Sequence, residues 1–599
     1  MPGRRPDQAS ARGQTLRAKI VFYAFFVIAL FIIAKFYIVQ VRDGPSLAER
    51  GYEQRLTTVT FPAHRGAIFD RDGATLVRSL PSQSIYATPR DVQDQRATAR
   101  ALASVLPGVS EAGVLDTLQS KHPYVQVVHK ISHDEADAVA KLGLSGISIV
   151  PEQTGMRFVT AGRLASSVIG FTGADEQGSA GAEYSFDSVL RGSPGQMQLE
   201  GDVFGRAIPF AQPKVVVAAK PGHSIALTID SYLQFKTQDV LDRTVAKWHA
   251  QSGSAIVLDP NTGEVLALAN APDYDAADYW NFSPQAWRDG AVMDAYEPGS
   301  TFKLITAAAA LDSGKVTPND RFPARDELEV GGRTIHNAED GFTAGVSGTE
   351  TLGDIIAYSH NVGAAEVGLR IGSRTMYEMM RRFGFGDATE IGLPGENPGI
   401  VPKLADWSET SLPTMAFGHG VAVTPLALAR AYAAIANGGI LLRPRILAAI
   451  VDSDGHEEYR YGREVERRVM SERTAAILRG FLRGVVVRGT GNPTAQIPGY
   501  TTAGKTGTAQ VAENGGYSAG DYVASFVGYV PAESPRFVIL VKIAKPRGAI
   551  YGSVVAAPAF AEIAKNAMMH AGVMPAGPRL VRLDISSNTS ANMSAKHKL

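Results

Sequence analysis

The chain contains no cysteine, which excludes disulfides, thiolate metal sites and a cysteine nucleophile. It also has no charge surplus of either sign, since 59 Lys+Arg residues balance 59 Asp+Glu. The basic excess of a nucleic-acid binder is missing, so no nucleic-acid partner is expected. Long apolar runs are scarce too. Residues 20–39, IVFYAFFVIALFIIAKFYIV, form one, and no second run of that length follows.

A helix of about twenty residues spans a hydrocarbon core of roughly 30 Å. The only charge in this run is Lys35, close to its C-terminal end, where a long stem can snorkel to the interface. Ahead of the run, Arg4, Arg5, Arg12, Arg17 and Lys19 face a single acid, Asp7. The positive-inside rule then places residues 1–19 in the cytoplasm as a tail, 20–41 in the membrane and the remainder outside. The run is long for a cleaved signal, and the RDGPSLAERG that follows offers no small-x-small site, so an uncleaved anchor is expected.

A total of 599 residues is too long for one core. Residues 42–213 mix strand-like stretches such as TLVRSLPSQSIYATP with helical ones, QRATARALASVL and HDEADAVAKLG. Two glycine-bearing segments, RGAIFDRDG and GSAGAEYSFDSVLRGSPG, carry charges but no set of nucleophile, base and ligands. They read as turns and salt-bridged packing in a non-catalytic module. AQPKVVVAAKPGHS (211–224) reads as a boundary. Beyond it, SAIVLDPNTGEVLALAN predicts a hairpin, YVASFVGYVP and RFVILVKIAKP predict strands, and TPLALARAYAAIANGG predicts a helix capped by Thr424 and ended by glycines. Residues 573–599 are polar and rich in serine and asparagine, and read as a disordered tail.

Three short stretches carry chemistry. In YEPGSTFKLI, Ser300 stands at an expected helix start and Lys303 falls on the same face one turn later. Two readings compete: a helix cap beside a surface lysine, or a nucleophile beside its base. A lysine acts as a base only when neutral, which requires burial or nearby cations. Ser359-His360-Asn361 can supply a hydroxyl to relay a proton and an amide for a substrate carbonyl. In TTAGKTGTAQ, strand alternation puts Thr506 and Thr508 on one face with Lys505 opposite, and Gly507 lets a substrate backbone lie alongside. Each stretch alone is a weak signal. Together and in this order they match the S-x-x-K, S-x-N and K-T-G set of penicillin-binding proteins and β-lactamases.

On these motifs and on longer stretches, the chain resembles the class B penicillin-binding proteins, most closely the septal FtsI type. The stretches include ALTIDSYLQ, LDPNTGEVLALANAPDYD, MAFGHGVAVTPLALARAYAAIANGG, VASFVGYVPAESPRFVILV and YGSVVAAPAFAEIAKNAM. The resemblance covers about residues 20–570. It implies a multidomain α+β fold: a single N-terminal transmembrane helix, an α/β pedestal over 42–213, and a transpeptidase domain over 214–572. That last domain would combine a five-stranded antiparallel sheet flanked by helices with a helical subdomain.

The resemblance further implies D,D-transpeptidation of peptidoglycan stem peptides. Ser300 would be acylated, Lys303 would take its proton, and Ser359 and Lys505 would pass it to the leaving amine. Asn361, Thr506, Gly507 and Thr508 would bind substrate, with the backbone N–H groups of Ser300 and Thr508 as the oxyanion hole. His419 would be packed or near substrate. No cofactor or metal is implied. The implied partners are lipid-linked precursors, the membrane, β-lactams as inhibitors, and a SEDS-family glycosyltransferase with other divisome proteins. Alternatives from the same motifs are an elongation-type transpeptidase, a non-catalytic divisome scaffold and a membrane-bound β-lactamase.

Overall fold

A computed structural model describes residues 8–61, 63–152, 155–160, 162–173, 176–200, 214–338, 348–513 and 516–576. Most of the tail expected to be disordered, and the first seven residues, lie outside these.

Two compact units emerge. The first comprises Met1–Ala63 with Ser193–Lys220. It begins with the helix Gln8–Tyr37, continued through a wider turn, Ile38–Arg42, and a second helix, Gly44–Glu53. Phe22, Phe25, Phe31 and Ile33 are all more than half exposed, a surface that water disfavours and lipid accepts. Among the described residues this is the one helix long and apolar enough to cross a membrane, and it fits a single-pass anchor. The same unit holds a three-stranded antiparallel sheet of Leu56–Phe61, Gly195–Glu200 and Lys214–Val217.

The second unit comprises His64–Gly192 and Pro221–Leu599. Within it, Gln83–Ala87 pairs with Val125–Ile131 and Ile147–Pro151. Helices Gln95–Val105, Glu111–Leu118 and His133–Lys141 join that sheet through a separate small core including Ile85, Leu102, Leu118 and Val139. The two glycine-bearing segments meet at buried Arg65. Its Nε donates to Glu183 Oε2 at 2.7 Å, and its Nη1 to Asp187 Oδ1 at 2.6 Å. Arg157 Nε donates to the other Glu183 oxygen at 2.7 Å, so one buried carboxylate is shared by two guanidinium groups. Such a paired cluster tolerates burial only because each charge has partners.

A mixed sheet of six strands connects early and late sequence: Glu457–Arg460, Leu447–Val451, Ser224–Leu227, Ile68–Phe69, Thr75–Leu80 and Met156–Val159, in that order. Ser224–Leu227 is its hinge, parallel to Ile68–Phe69 and antiparallel to Leu447–Val451.

The largest layer is a five-stranded antiparallel sheet, ordered Val265–Ala271, Ser252–Leu258, Phe537–Ala544, Gly516–Val530 and Ala503–Glu513. Alternate side chains enter two cores. Val257, Ile539 and Val541 pack with Leu233, Val240, Phe560 and Ile563 from helices Ser231–Lys247 and Ala557–His570. Ile256, Val538 and Leu540 enter the larger core with Leu304, Ile305, Leu428 and Leu478 from the other side. Coverage of both faces explains why these strands read as continuous apolar runs. The helix Pro425–Ala436 is buried along its whole length, with the Thr424 hydroxyl accepting from Ala427 N at 3.2 Å and Gly438 and Gly439 in left-handed backbone after it. The strand Ala503–Glu513 is left at the sheet edge.

Candidate active site

Ser300 sits in a single 3₁₀ turn, Gly299–Phe302, that leads into the helix Lys303–Asp312. No side chain caps either start, so the cap reading of Ser300 fails. The surface-lysine reading fails as well, because Lys303 is only 1% exposed. The turn is pinned from the side: Gly299 N donates to Gly418 O at 3.1 Å. Gly418 has φ +87°, and a Cβ there would lie 2.2 Å from the Gly299 carbonyl oxygen, so only glycine allows this approach.

Four oxygens surround the Lys303 Nζ. Ser300 Oγ is at 3.0 Å, Ser359 O at 2.5 Å, Ser359 Oγ at 3.2 Å and Asn361 Oδ1 at 2.8 Å. Burial, then the neighbouring Lys505 charge, holds the Lys303 amine well below its usual value, with Glu350 acting the other way. A neutral amine has two N–H groups and one lone pair. The Ser359 carbonyl and Asn361 Oδ1 can only accept, so they take the two hydrogens. The lone pair is left for a hydroxyl, and Ser300 is in place to donate one.

Ser359 closes the helix Leu352–Tyr358 in a left-handed conformation, φ +65°. That geometry turns its carbonyl and its hydroxyl together toward Lys303. The Lys505 Nζ donates to Ser359 Oγ at 2.8 Å and to Thr506 O at 3.2 Å, and lies 3.3 Å from Thr506 Oγ1. Ser359 Oγ therefore bridges the two lysines. Burial lowers Lys505 to about 7.

Asn361 begins the helix Asn361–Ile371, and its Nδ2 donates to His336 O at 3.0 Å. His360, in the middle of the tripeptide, points away and pairs with buried Glu350. Along the edge strand, a Cβ on Gly507 would meet Ser525 Oγ, Thr301 and the Pro298 carbonyl within 3.0 Å. The Lys505 and Gly507 face thus packs toward the Ser300 turn. Thr506 Oγ1 is 2.8 Å from Thr490 Oγ1, and Thr508 Oγ1 accepts from Gly552 N at 3.1 Å.

The structure thus brings Ser300, Lys303, Ser359, Asn361 and Lys505 into one hydrogen-bonded cluster, with Thr506, Gly507 and Thr508 along its rim. Motif reading did not find Glu350, Thr490 or Asn337, whose Oδ1 accepts from Asn361 N at 2.8 Å and Val362 N at 3.1 Å. All three are joined to the site only by folding.

Residues 253–565 match the penicillin binding protein transpeptidase domain, and residues 60–227 match the penicillin-binding protein dimerisation domain. The peptidoglycan D,D-transpeptidase FtsI of Escherichia coli K12 is 33% identical, over 91% of this chain and 90% of its own. Stage V sporulation protein D of Bacillus subtilis is 33% identical, over 94% of this chain and 87% of its own. Among solved structures, penicillin binding protein 3 of Mycobacterium tuberculosis in complex with aztreonam superposes with a TM-score of 0.66 at 30% identity, covering 87% of this chain and 99% of that one.

Proposed function

The chain belongs to the class B penicillin-binding proteins and is a serine-type peptidoglycan D,D-transpeptidase, and from that premise we propose that Ser300 is its nucleophile. The observation that carries this is the Lys303 amine, buried, lowered and 3.0 Å from Ser300 Oγ. Ser300 attacks the carbonyl of the penultimate D-alanine of a stem peptide as Lys303 takes its proton. Ser359, linked to both lysines, passes that proton to the departing D-alanine nitrogen. Asn361 orients the substrate amide with its remaining valences. Thr506 and Thr508 hold the terminal carboxylate in the field of Lys505, and the Ser300 and Thr508 N–H groups receive the oxyanion. β-Lactams acylate the same oxygen.

Residues 42–213 are the pedestal and 214–572 the catalytic domain; the two family matches, over 60–227 and 253–565, support the order of the two domains. The anchor holds both outside the cytoplasm, with the arginine-rich tail inside. The enzyme acts at the division septum with a SEDS-family glycosyltransferase and other divisome proteins. The likeness of its long sequence stretches to the septal FtsI type supports that role.

Two measurements test these assignments. After reaction with a penicillin, tryptic mapping should place the acyl adduct on the peptide 289–303 at Ser300, and an adduct elsewhere overturns the assignment. Depletion in cells should give filaments, whereas round cells would point to elongation.

The pH profile follows from the lysines. With rising pH, the second-order rate of penicillin acylation should climb and then fall, because kcat/KM reports the free enzyme's groups. The rising limb is Lys303 losing its proton to become a base. The falling limb, near pH 7, is Lys505 losing the charge that attracts the ligand carboxylate. Lys505→Met should abolish the falling limb. It should also move the rising limb to higher pH, since the Lys505 charge helps hold Lys303 down. A profile that stays flat through pH 7 would refute the Lys505 assignment, and a rising limb unmoved in Lys505→Met would refute that of Lys303.

A further inference from the structure

Lys303 stands three residues after Ser300, and a second titratable cluster stands three residues before it. Glu297 Oε1 accepts from Gly420 N at 2.8 Å and from Tyr517 Oη at 3.3 Å. Its Oε2 lies 3.2 Å from His419 Nδ1, which is also 3.3 Å from Tyr517 Oη. Among the described residues, His419 Nε2 has no hydrogen-bond partner, and the side chain is 22% exposed. The loop that carries His419 is fixed to the nucleophile turn by the Gly299–Gly418 bond and by reciprocal backbone bonds between Tyr296 and Val423 at 2.9 and 3.0 Å. Burial opposes a charge on Glu297, but the His419 contact, the Gly420 N–H and the Tyr517 hydroxyl together hold its carboxyl below the usual range. A tyrosine hydroxyl bonded to Nδ1, a carboxylate 3.2 Å from the same atom and an unpartnered Nε2 make the arrangement of an oriented imidazole base.

Transpeptidation requires such a base. The acceptor is an amine, and at neutral pH an alkylamine arrives as an ammonium. To form an amide it must lose two protons. Lys303 can accept one, and that one goes to the Ser300 oxygen as the ester opens. The first proton needs another acceptor, close to the acyl-enzyme and separate from Lys303.

We propose that His419, oriented by Glu297 and Tyr517, is the general base that deprotonates the ammonium of the acceptor, so that this side of Ser300 is the acceptor-amine site. The proposal rests on Ser300 being the acylated residue. His419 Nε2 takes a proton from R–NH₃⁺, giving R–NH₂ and an imidazolium. The amine attacks the ester carbonyl. The C–N bond forms, the C–Oγ bond breaks, and the second nitrogen proton passes through Lys303 to Ser300 Oγ. The imidazolium returns its proton to water. Glu297 supplies the negative field that favours the incoming cation and the imidazolium alike.

The test uses the full-length protein in detergent, a thioester mimic of the stem peptide as donor, and two acceptors. Glycine is an ammonium at neutral pH, whereas hydroxylamine is already a neutral amine. Penicillin titration counts competent sites in each preparation, and products are separated as aminolysed and hydrolysed donor. In His419→Gln the ratio of aminolysis to hydrolysis with glycine should fall about a hundredfold. With hydroxylamine it should stay within about threefold of the unsubstituted protein, because the first deprotonation is no longer required. Glu297→Gln should show the same acceptor dependence at smaller amplitude. Equal losses with both amines, or no loss with glycine in either variant, would overturn the proposal. Failure of the unsubstituted protein to bind penicillin at Ser300 would instead overturn the assignment of the nucleophile.

Discussion

Replacing Ser300 by alanine should abolish covalent labelling by a fluorescent penicillin, a loss of at least about 10⁴-fold in acylation rate. The size of the effect follows from the site. Ser300 Oγ is the one hydroxyl of the nucleophile turn bonded to the Lys303 amine, at 3.0 Å. Thr301, the next hydroxyl, is buried and donates to Pro298 O at 2.8 Å, so it cannot substitute. The turn itself is held by Gly299 and Gly418 and not by the serine side chain, so the variant should fold with an unchanged unfolding temperature. Non-covalent binding of the ligand carboxylate should persist, since Lys505, Thr506 and Thr508 remain. Equal labelling of the alanine variant and the unsubstituted protein would eliminate Ser300 as the nucleophile.

Ser359→Gly separates chemistry from stability. Among the described residues, the hydroxyl of Ser359 is the only oxygen that touches both lysines, at 3.2 Å from Lys303 and 2.8 Å from Lys505. Without it, no path is left for the proton between Ser300 and the leaving amine, and acylation should fall by about 10² to 10⁴. The Ser359 backbone sits at φ +65°, a region that costs a non-glycine residue about 1 kcal/mol or more. Glycine removes that strain and leaves the backbone carbonyl on Lys303. The variant should therefore be as stable as the parent or slightly more so in thermal unfolding, while losing most of its penicillin reactivity. A fall in stability that accompanies the fall in rate would mean that Ser359 matters as packing and not as a relay.

Much of the catalytic layer was legible in the sequence because its signals are local. Strands covered on both faces appear as unbroken apolar runs, and the Thr424-Pro425 start and Gly438-Gly439 end delimit a helix without reference to anything distant. The motif Ser300-x-x-Lys303 was legible as a shared face. Its helix-cap alternative could be rejected only in the fold, where Lys303 proves buried and no cap bond forms. Long-range pairings were not legible. Ile68–Phe69 is too short to announce itself as a strand, and it exists because Ser224–Leu227 lies beside it. Thr490 reaches Thr506, and Glu350 reaches His360, only when helix ends and strand edges are brought together. The same holds for Glu297, His419 and Tyr517. Each is unremarkable in its own stretch, and no spacing rule connects a loop histidine with a hairpin tyrosine.

The burial of Lys505 has a consequence for folding itself. A lysine with a depressed folded value leaves the folded chain holding fewer protons than the unfolded chain from about pH 7 up to its ordinary 10.5. Stability gained from this group therefore rises with pH across that window. Below it the full cost of burying the charge remains, on the order of 5 kcal/mol, and Lys303 adds to it in the same direction. The enzyme thus folds against its own active site and depends on the sheet and helices around it to make up the difference. A ligand carboxylate beside Lys505 offsets part of that cost. Occupancy of the site should consequently stabilise the protein more in mildly acidic medium, where Lys505 carries its charge, than above pH 7.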